Sequence, residues 1–172
     1  MKLKYFLPII ILVFFGCRPD REPIRFQMEY FDETFTIDPG FDPILTHTII
    51  YEIPTDYLFF KREFDFEDED IISITPRRLR ISNITTNDDY DFLNEISVRI
   101  IDPESPQTPF EIFFHLPNNR NLGNVLDLVP NERDIKSIMM NDRFRIELNL
   151  IRFRQRPPTN ITSRIELIFD VR

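Results

Sequence analysis

Apolar residues fall on every second position through most of this chain. Ile24, Phe26, Met28 and Tyr30 alternate with Arg25, Gln27 and Glu29, and Phe35 and Ile37 extend the apolar face to Asp38-Pro39-Gly40. A period of two is that of a strand with one face buried, so a strand followed by a turn is predicted here. Leu45, His47, Ile49, Tyr51 and Ile53 make a second face, ended by Pro54. Ile72 and Ile74 lead into Pro76, after which Leu79 and Ile81 face one way and Arg78 and Arg80 the other. Proline donates nothing to a ladder, so Pro76 marks an edge or a bulge.

The alternation recurs in Ile96, Val98 and Ile100, closed by Asp102-Pro103, and in Phe110, Ile112, Phe114 and Leu116, closed by Pro117-Asn118-Asn119. The proline-rich connection between them reads as a hairpin loop, and Leu126 to Val129 as a short strand. A helix is predicted only after Asn131: Asn131 is its N-cap, Asp134 lies near its positive end, and Ile135, Ile138 and Met139 share a face. Phe144, Ile146, Leu148 and Leu150 then alternate until Ile151 and Phe153 take over the apolar role. One extra residue at Leu150-Ile151 restores the facing, which predicts a β-bulge. Pro157-Pro158-Thr159-Asn160 turns into a last strand with Ile165, Leu167, Phe169 and Val171 inward.

Eight or nine short strands, spaced by turns and joined by one short helix, indicate an all-β antiparallel sandwich, with a small barrel as the alternative. Composition agrees. The chain has no alanine, and Ile, Phe, Val, Thr and Tyr fill its apolar segments, while 14 prolines exclude long helices.

The first residues obey a different rule. Tyr5 to Phe15 is an apolar run of eleven residues behind Lys2 and Lys4. Crossing the hydrocarbon core takes about 20 apolar residues, so the run is too short for a span and has the layout of an export signal. Its end, Val13-Phe14-Phe15-Gly16-Cys17, resembles the lipobox of bacterial lipoproteins, carried here by Gly16 and Cys17. The resemblance implies that the Cys17 sulfur receives a diacylglycerol and that cleavage makes Cys17 the acylated N-terminus. Two or three acyl chains on one residue, at about 0.8 kcal/mol per buried CH₂, give lasting anchorage. Cys17 is the only cysteine, so no internal disulfide competes for it. Arg18 to Pro23 is charged and proline-containing and reads as an extended spacer. In these lipoproteins an aspartate after the cysteine favours the inner membrane; Arg18 stands there, which leans towards the outer one. The expected organisation is therefore a signal peptide over 1–16, an acylated Cys and tether over 17–23, and a β-sandwich over 24–172. The layout IISITPRRLRI, then FLNEISVRI, then a helix before a long strand, also resembles uncharacterised β-sandwich lipoproteins, which implies a fold and no activity.

Loss of the leader leaves 156 of the 172 residues, enough for one domain and too few for two. The whole chain carries a net charge of −8, and the leader holds Lys2 and Lys4 but no acid, so the mature part is more acidic still. That disfavours nucleic acid as a partner.

Candidate chemistry is sparse. Glu63 to Asp70 is the densest acidic run; a Ca²⁺ loop is conceivable from its carboxylates, but Phe64 and Phe66 interrupt them and no glycine supplies a sharp turn, so a solvated hairpin end is preferred, with Arg77, Arg78 and Arg80 available to neutralise it. Arg152, Arg154 and Arg156 form a basic stripe that could dock an anion or an acidic partner, against cross-strand pairing with Glu166 and Asp170 as the preferred reading. Tyr57, Leu58, Phe59 and Phe60, with Phe64 and Phe66, are either a core strand, the preferred reading, or an exposed ligand-binding patch. His47 shares its parity with Leu45, Ile49 and Tyr51 and is expected to be a satisfied core or subsurface histidine, while His115 is expected to point opposite to Phe110, Ile112 and Phe114. Neither has a second ligand at metal-site spacing, and no nucleophile elbow exists. No catalytic residue, cofactor or metal is expected. The reading favours a non-enzymatic, lipid-anchored envelope protein that presents loops or an edge strand to another envelope protein. An accessory lipoprotein binding Ca²⁺ or an extracellular oligomer comes second, and a hydrolase third.

Overall fold

A computed structural model describes residues 22–102, 106, 108–115 and 121–172, with the backbone alone at Asp32. The leader, Cys17, the tether as far as Arg21, and Leu116 to Asn119 lie outside the described residues. Within them the fold is all-β and antiparallel, built from β1 (Phe26–Ile37), β2 (His47–Pro54), β3 (Ile74–Asn83), β4 (Leu93–Ile101), β5 (Phe110–His115), β6 (Val125–Pro130), β7 (Arg143–Phe153) and β8 (Ile161–Val171). Two helices, α1 (Tyr57–Glu63) and α2 (Lys136–Met139), cover one end.

The strands form one sheet in the order β1-β8-β3-β6-β5-β4-β7-β2. Between β5 and β6 the pairing is only Phe113 with Pro130 and Phe114 with Val129, so the sheet folds there into two four-stranded halves. Their inner faces meet in one core: Phe169 of β8 packs against Phe144 of β7 with ring centroids 5.9 Å apart, and against Phe113 of β5 at 6.4 Å. The result is sandwich-like and curled as a half-barrel, which reconciles the two architectures expected from sequence.

The far edges, β1 and β2, are the first two strands of the chain and lie at opposite ends of the strand order. Tyrosine hydroxyls bridge them. Tyr30 of β1 donates to the Thr55 carbonyl just after β2 at 2.7 Å, and Tyr51 of β2 donates to the Thr34 carbonyl of β1 at 3.0 Å.

The expected irregularities are present. Glu95 pairs with Arg152 while Ile96 pairs with Leu150, so Ile151 is the extra residue of a bulge in β7 and Phe153 returns to the core. In β3 the register skips between Pro76 and Arg78, and β6 pairs only with Leu79 to Ser82, so Pro76 sits at a bulge on a stretch flanked by a single strand. Proline costs no hydrogen bond there.

Three expectations need correction. Asn131 does not cap the helix that follows it: its amide is held by the Ile112 carbonyl at 2.8 Å, and the single turn starts from Ile135, with Asp134 Oδ1 accepting from the Lys136 amide at 3.0 Å. Ile135, Ile138 and Met139 are buried as anticipated. Residues 57–63 are a helix rather than a core strand, so the domain has two short helices where one was expected. Ile72 lies before β3 and is exposed.

Candidate interaction surfaces

Helix α1 begins at Asp56, whose left-handed backbone (φ 50°) swings the chain off the end of β2 and whose carbonyl accepts from the amides of Phe59 and Phe60 at 2.9 and 3.0 Å. Lys61 and Arg62 in the last turn complement the negative end of the helix. The chain leaves through Asp65, again left-handed, with the Phe66 amide reaching back to the Lys61 carbonyl at 3.3 Å. This six-to-one closure satisfies an otherwise orphaned carbonyl. Tyr57, Phe60 and Phe64 recur at helical spacing, a signal that a run of four apolar residues conceals from periodicity.

The aromatic candidates divide into two groups. Tyr57 and Phe66 are buried, with rings 5.8 Å apart, and Phe60 is half-buried against the core. Phe59 and Phe64 are exposed at 56% and 46%, and Leu58, which belongs with them, at 62%. Phe64 is nonetheless ordered by stacking: its ring lies 4.5 Å from that of Phe26, the first residue of β1, and Phe26 in turn stacks on Phe66 at 5.1 Å. The start of β1 is thereby clamped to α1. A cavity of about 240 Å³, bordered by Thr55, Asp56, Leu58, Phe59 and Asp142, lies beside this surface.

The acidic run is the exit of α1 and a short 3₁₀ turn, Asp68–Asp70, rather than a hairpin end. Its charge is met by lysines. Lys61 Nζ contacts Glu67 at 2.8 Å and Asp68 at 3.0 Å, while Lys136 Nζ donates to the Asp68 and Ile71 carbonyls at 2.9 and 2.6 Å. Hydrogen bonds from Lys61 and from the Tyr57 hydroxyl hold the Asp68 carboxyl below the usual carboxylate range. No group of three or more His, Cys, Asp or Glu converges on a metal-sized site among the described residues, so the Ca²⁺ loop has no assembled ligand set there. Arg78 and Arg80 do not serve this run: Arg78 contacts Glu166 at 3.3 Å, and Arg80 forms a two-pronged pair with Asp127 at 2.8 and 2.9 Å.

The second candidate set lies at the opposite end of β7. Arg152 faces Glu95 in the register, and Arg154 Nε donates to Asn94 at 3.4 Å. Cross-strand pairing with Glu166 and Asp170 does not occur, because β7 lies between β4 and β2 while β8 lies between β1 and β3. Glu166 is taken by Arg78 and Arg164, and buried Asp170 by Gln27 at 2.9 Å and Arg172 at 3.4 Å. Asp170 and Arg172 line a second cavity, of about 290 Å³, with Thr75, Arg77 and Glu132. Arg156 is exposed beyond the end of β7. Alternation along β7 suggested the stripe but could not name its neighbours.

The histidines differ. His47 stacks on Phe41 with centroids 4.1 Å apart, and its Nε2 contacts the Asp42 carbonyl at 2.9 Å, so it is satisfied below the surface as expected. His115 is a correction. A register skip between Val98 and Arg99 makes Ile112 an extra residue, so His115 pairs with fully buried Ile96 and shares the inner side with Phe113. Burial, with the Arg154 charge nearby, pushes its imidazole below the ordinary value.

Sequence reasoning did not single out the edge of β2. Among the described residues this strand pairs with β7 alone, and exposed Ile44 (89%), Leu45 (58%) and Ile50 (49%) lie along and just before it. Edge strands are usually protected by charge, proline or bulges. β1 carries such a bulge between Tyr30 and Glu33, whereas the β2 register runs unbroken from His47 to Pro54.

No protein-family model matches the chain, and no curated protein matches it. Among the described residues no helix is long and apolar enough to cross a membrane.

Proposed function

We propose that the protein is a lipid-anchored module of a bacterial cell envelope, non-enzymatic, that docks another envelope protein along the open edge of β2. The supporting observation is that edge: eight residues in unbroken register, one side unpaired by any strand among the described residues, with Ile44 and Leu45 exposed just before it and Ile50 exposed within it. Such an edge accepts an added strand, whose main chain supplies affinity and whose alternate side chains supply specificity. The anchor is Cys17 and the outer membrane is its place, both on the lipobox resemblance and on Arg18.

The test is crosslinking in native membranes, wild type against Ile50→Lys. A charge on the edge blocks strand addition without touching the core, since Ile50 is half exposed. The expected result is a reproducible crosslinked partner with the wild type and its loss with Ile50→Lys. An unchanged partner would refute the edge, and mass spectrometry finding a free Cys17 thiol would refute the anchor.

A further inference from the structure

We infer that the exposed face of α1 and its C-cap, formed by Leu58, Phe59 and Phe64, rests on the headgroup region of the bilayer that holds the anchor. The inference builds on the lipid-anchored reading and adds an orientation to it.

Chain length makes the argument. Ile24 is seven residue steps from Cys17, and a fully extended chain covers at most about 3.6 Å per step, so the tether reaches at most roughly 25 Å. It ends at the aromatic cluster. The ring of Phe26 lies against Phe64 at 4.5 Å and Phe66 at 5.1 Å, so the point where the tether joins the fold and the exposed apolar face are one place. A small folded domain is about 30 Å across. A globular partner therefore does not fit between this face and the membrane, whereas lipid is already within reach.

The chemistry of the face selects the kind of lipid. Leu58, Phe59 and Phe64 are apolar and exposed at about half or more, and Arg62 is exposed beside them, its Nε on the Leu58 carbonyl at 3.1 Å. Apolar area that reaches the acyl boundary and a cation at phosphate depth are what interfacial binding uses. Glu63, Asp65, Glu67 and Glu69, all exposed next to the face, would be repelled by an anionic surface. The occupant is thus a zwitterionic headgroup layer. Three side chains are a small area, and the anchor makes them sufficient by keeping them at high effective concentration.

The chain has no tryptophan, so one can be placed as a reporter. Full-length protein, processed in an export-competent bacterium, is reconstituted in vesicles of phosphatidylethanolamine and phosphatidylcholine, with brominated acyl chains as quencher. Phe59→Trp is expected to show blue-shifted emission that brominated lipid quenches. Ile44→Trp, in the turn before β2, is expected to emit as in water and escape quenching. Protein that floats with the vesicles while both reporters emit as in water would overturn this inference and leave the anchor intact. A Phe59→Trp shift that rises with protein density, without quenching, would assign the face to a second copy and also overturn it. Failure to float at all would overturn the anchor itself.

Discussion

Removing one hydroxyl from Tyr30 tests how the curled sheet holds its two free edges together. The Tyr30 ring packs against Phe144 at 5.3 Å and Phe169 at 6.0 Å, and Tyr30→Phe keeps that packing, so no cavity term enters. What is lost is the 2.7 Å bond to the Thr55 carbonyl, in a site where Thr55 is 1% exposed. Leaving a buried acceptor without its donor costs about 1–3 kcal/mol. Tyr51→Phe removes the other bridge, to the Thr34 carbonyl, but Thr34 is exposed and water replaces the phenol, so about 0.5 kcal/mol or less is expected. For a domain of this size 1 kcal/mol corresponds to about 2–4 °C in Tm. Urea unfolding followed by far-ultraviolet circular dichroism should show a clear fall in midpoint for Tyr30→Phe, a small one for Tyr51→Phe, and the same slope for both. Equal midpoints for the two variants would refute the view that the buried bridge, and not the exposed one, joins the edges.

Four phenols are raised in the folded state, Tyr57 and Tyr90 to about 12 and Tyr30 and Tyr51 further, with burial the largest cause in each. The folded protein therefore holds these protons more tightly than the unfolded chain, whose phenols titrate near 10. The contribution of these phenols to stability should be flat below about pH 10 and fall as pH rises above it, with phenolate absorbance appearing together with unfolding; four phenols titrating near 10 in a still-folded domain would contradict this. Phe169→Ala empties a fully buried site between the two halves and should cost about 3–5 kcal/mol in urea, a large share of a total of about 5–15. Deletion of Ile151 should turn Phe153 outward, at a cost of about 1.5–3 kcal/mol from its lost burial, measured by the same unfolding.

What could be read from the sequence was what a single strand records about itself. Alternation located β1, β7 and β8, and the break in alternation after Leu150 located the bulge at Ile151, because a slip of one residue exchanges core and solvent faces. Pro76 was legible because a proline has no N–H to give a ladder. Pairing was not. The expected match of Arg152 to Arg156 with acids of β8 failed because the two strands lie in different halves of the folded sheet, a fact no local pattern carries. His115 was misplaced by a bulge at Ile112 that leaves no mark, since Ile112 and Phe113 are both apolar and both buried. Helix α1 was missed because Tyr57 to Phe60 is apolar at every position, and only the left-handed turns at Asp56 and Asp65 fix its ends.

The aromatic candidates show how a short apolar run can be read as the wrong element. Exposed strand aromatics would alternate with polar residues, whereas here the buried Tyr57 and the exposed Leu58 and Phe59 are adjacent, which a helix of under two turns permits. The helix therefore has two faces in use at once: Tyr57 and Phe60 close the end of the core, and Phe59 and Leu58 remain outside. Phe64 joins both roles, since its ring is exposed on one side and stacked on Phe26 on the other. Force or binding applied at that ring is passed directly to the first residue of β1, which is hydrogen-bonded along its length to β8 in the middle of the fold. The aromatic cluster thus couples the start of β1 to α1, so a load on either is borne by both.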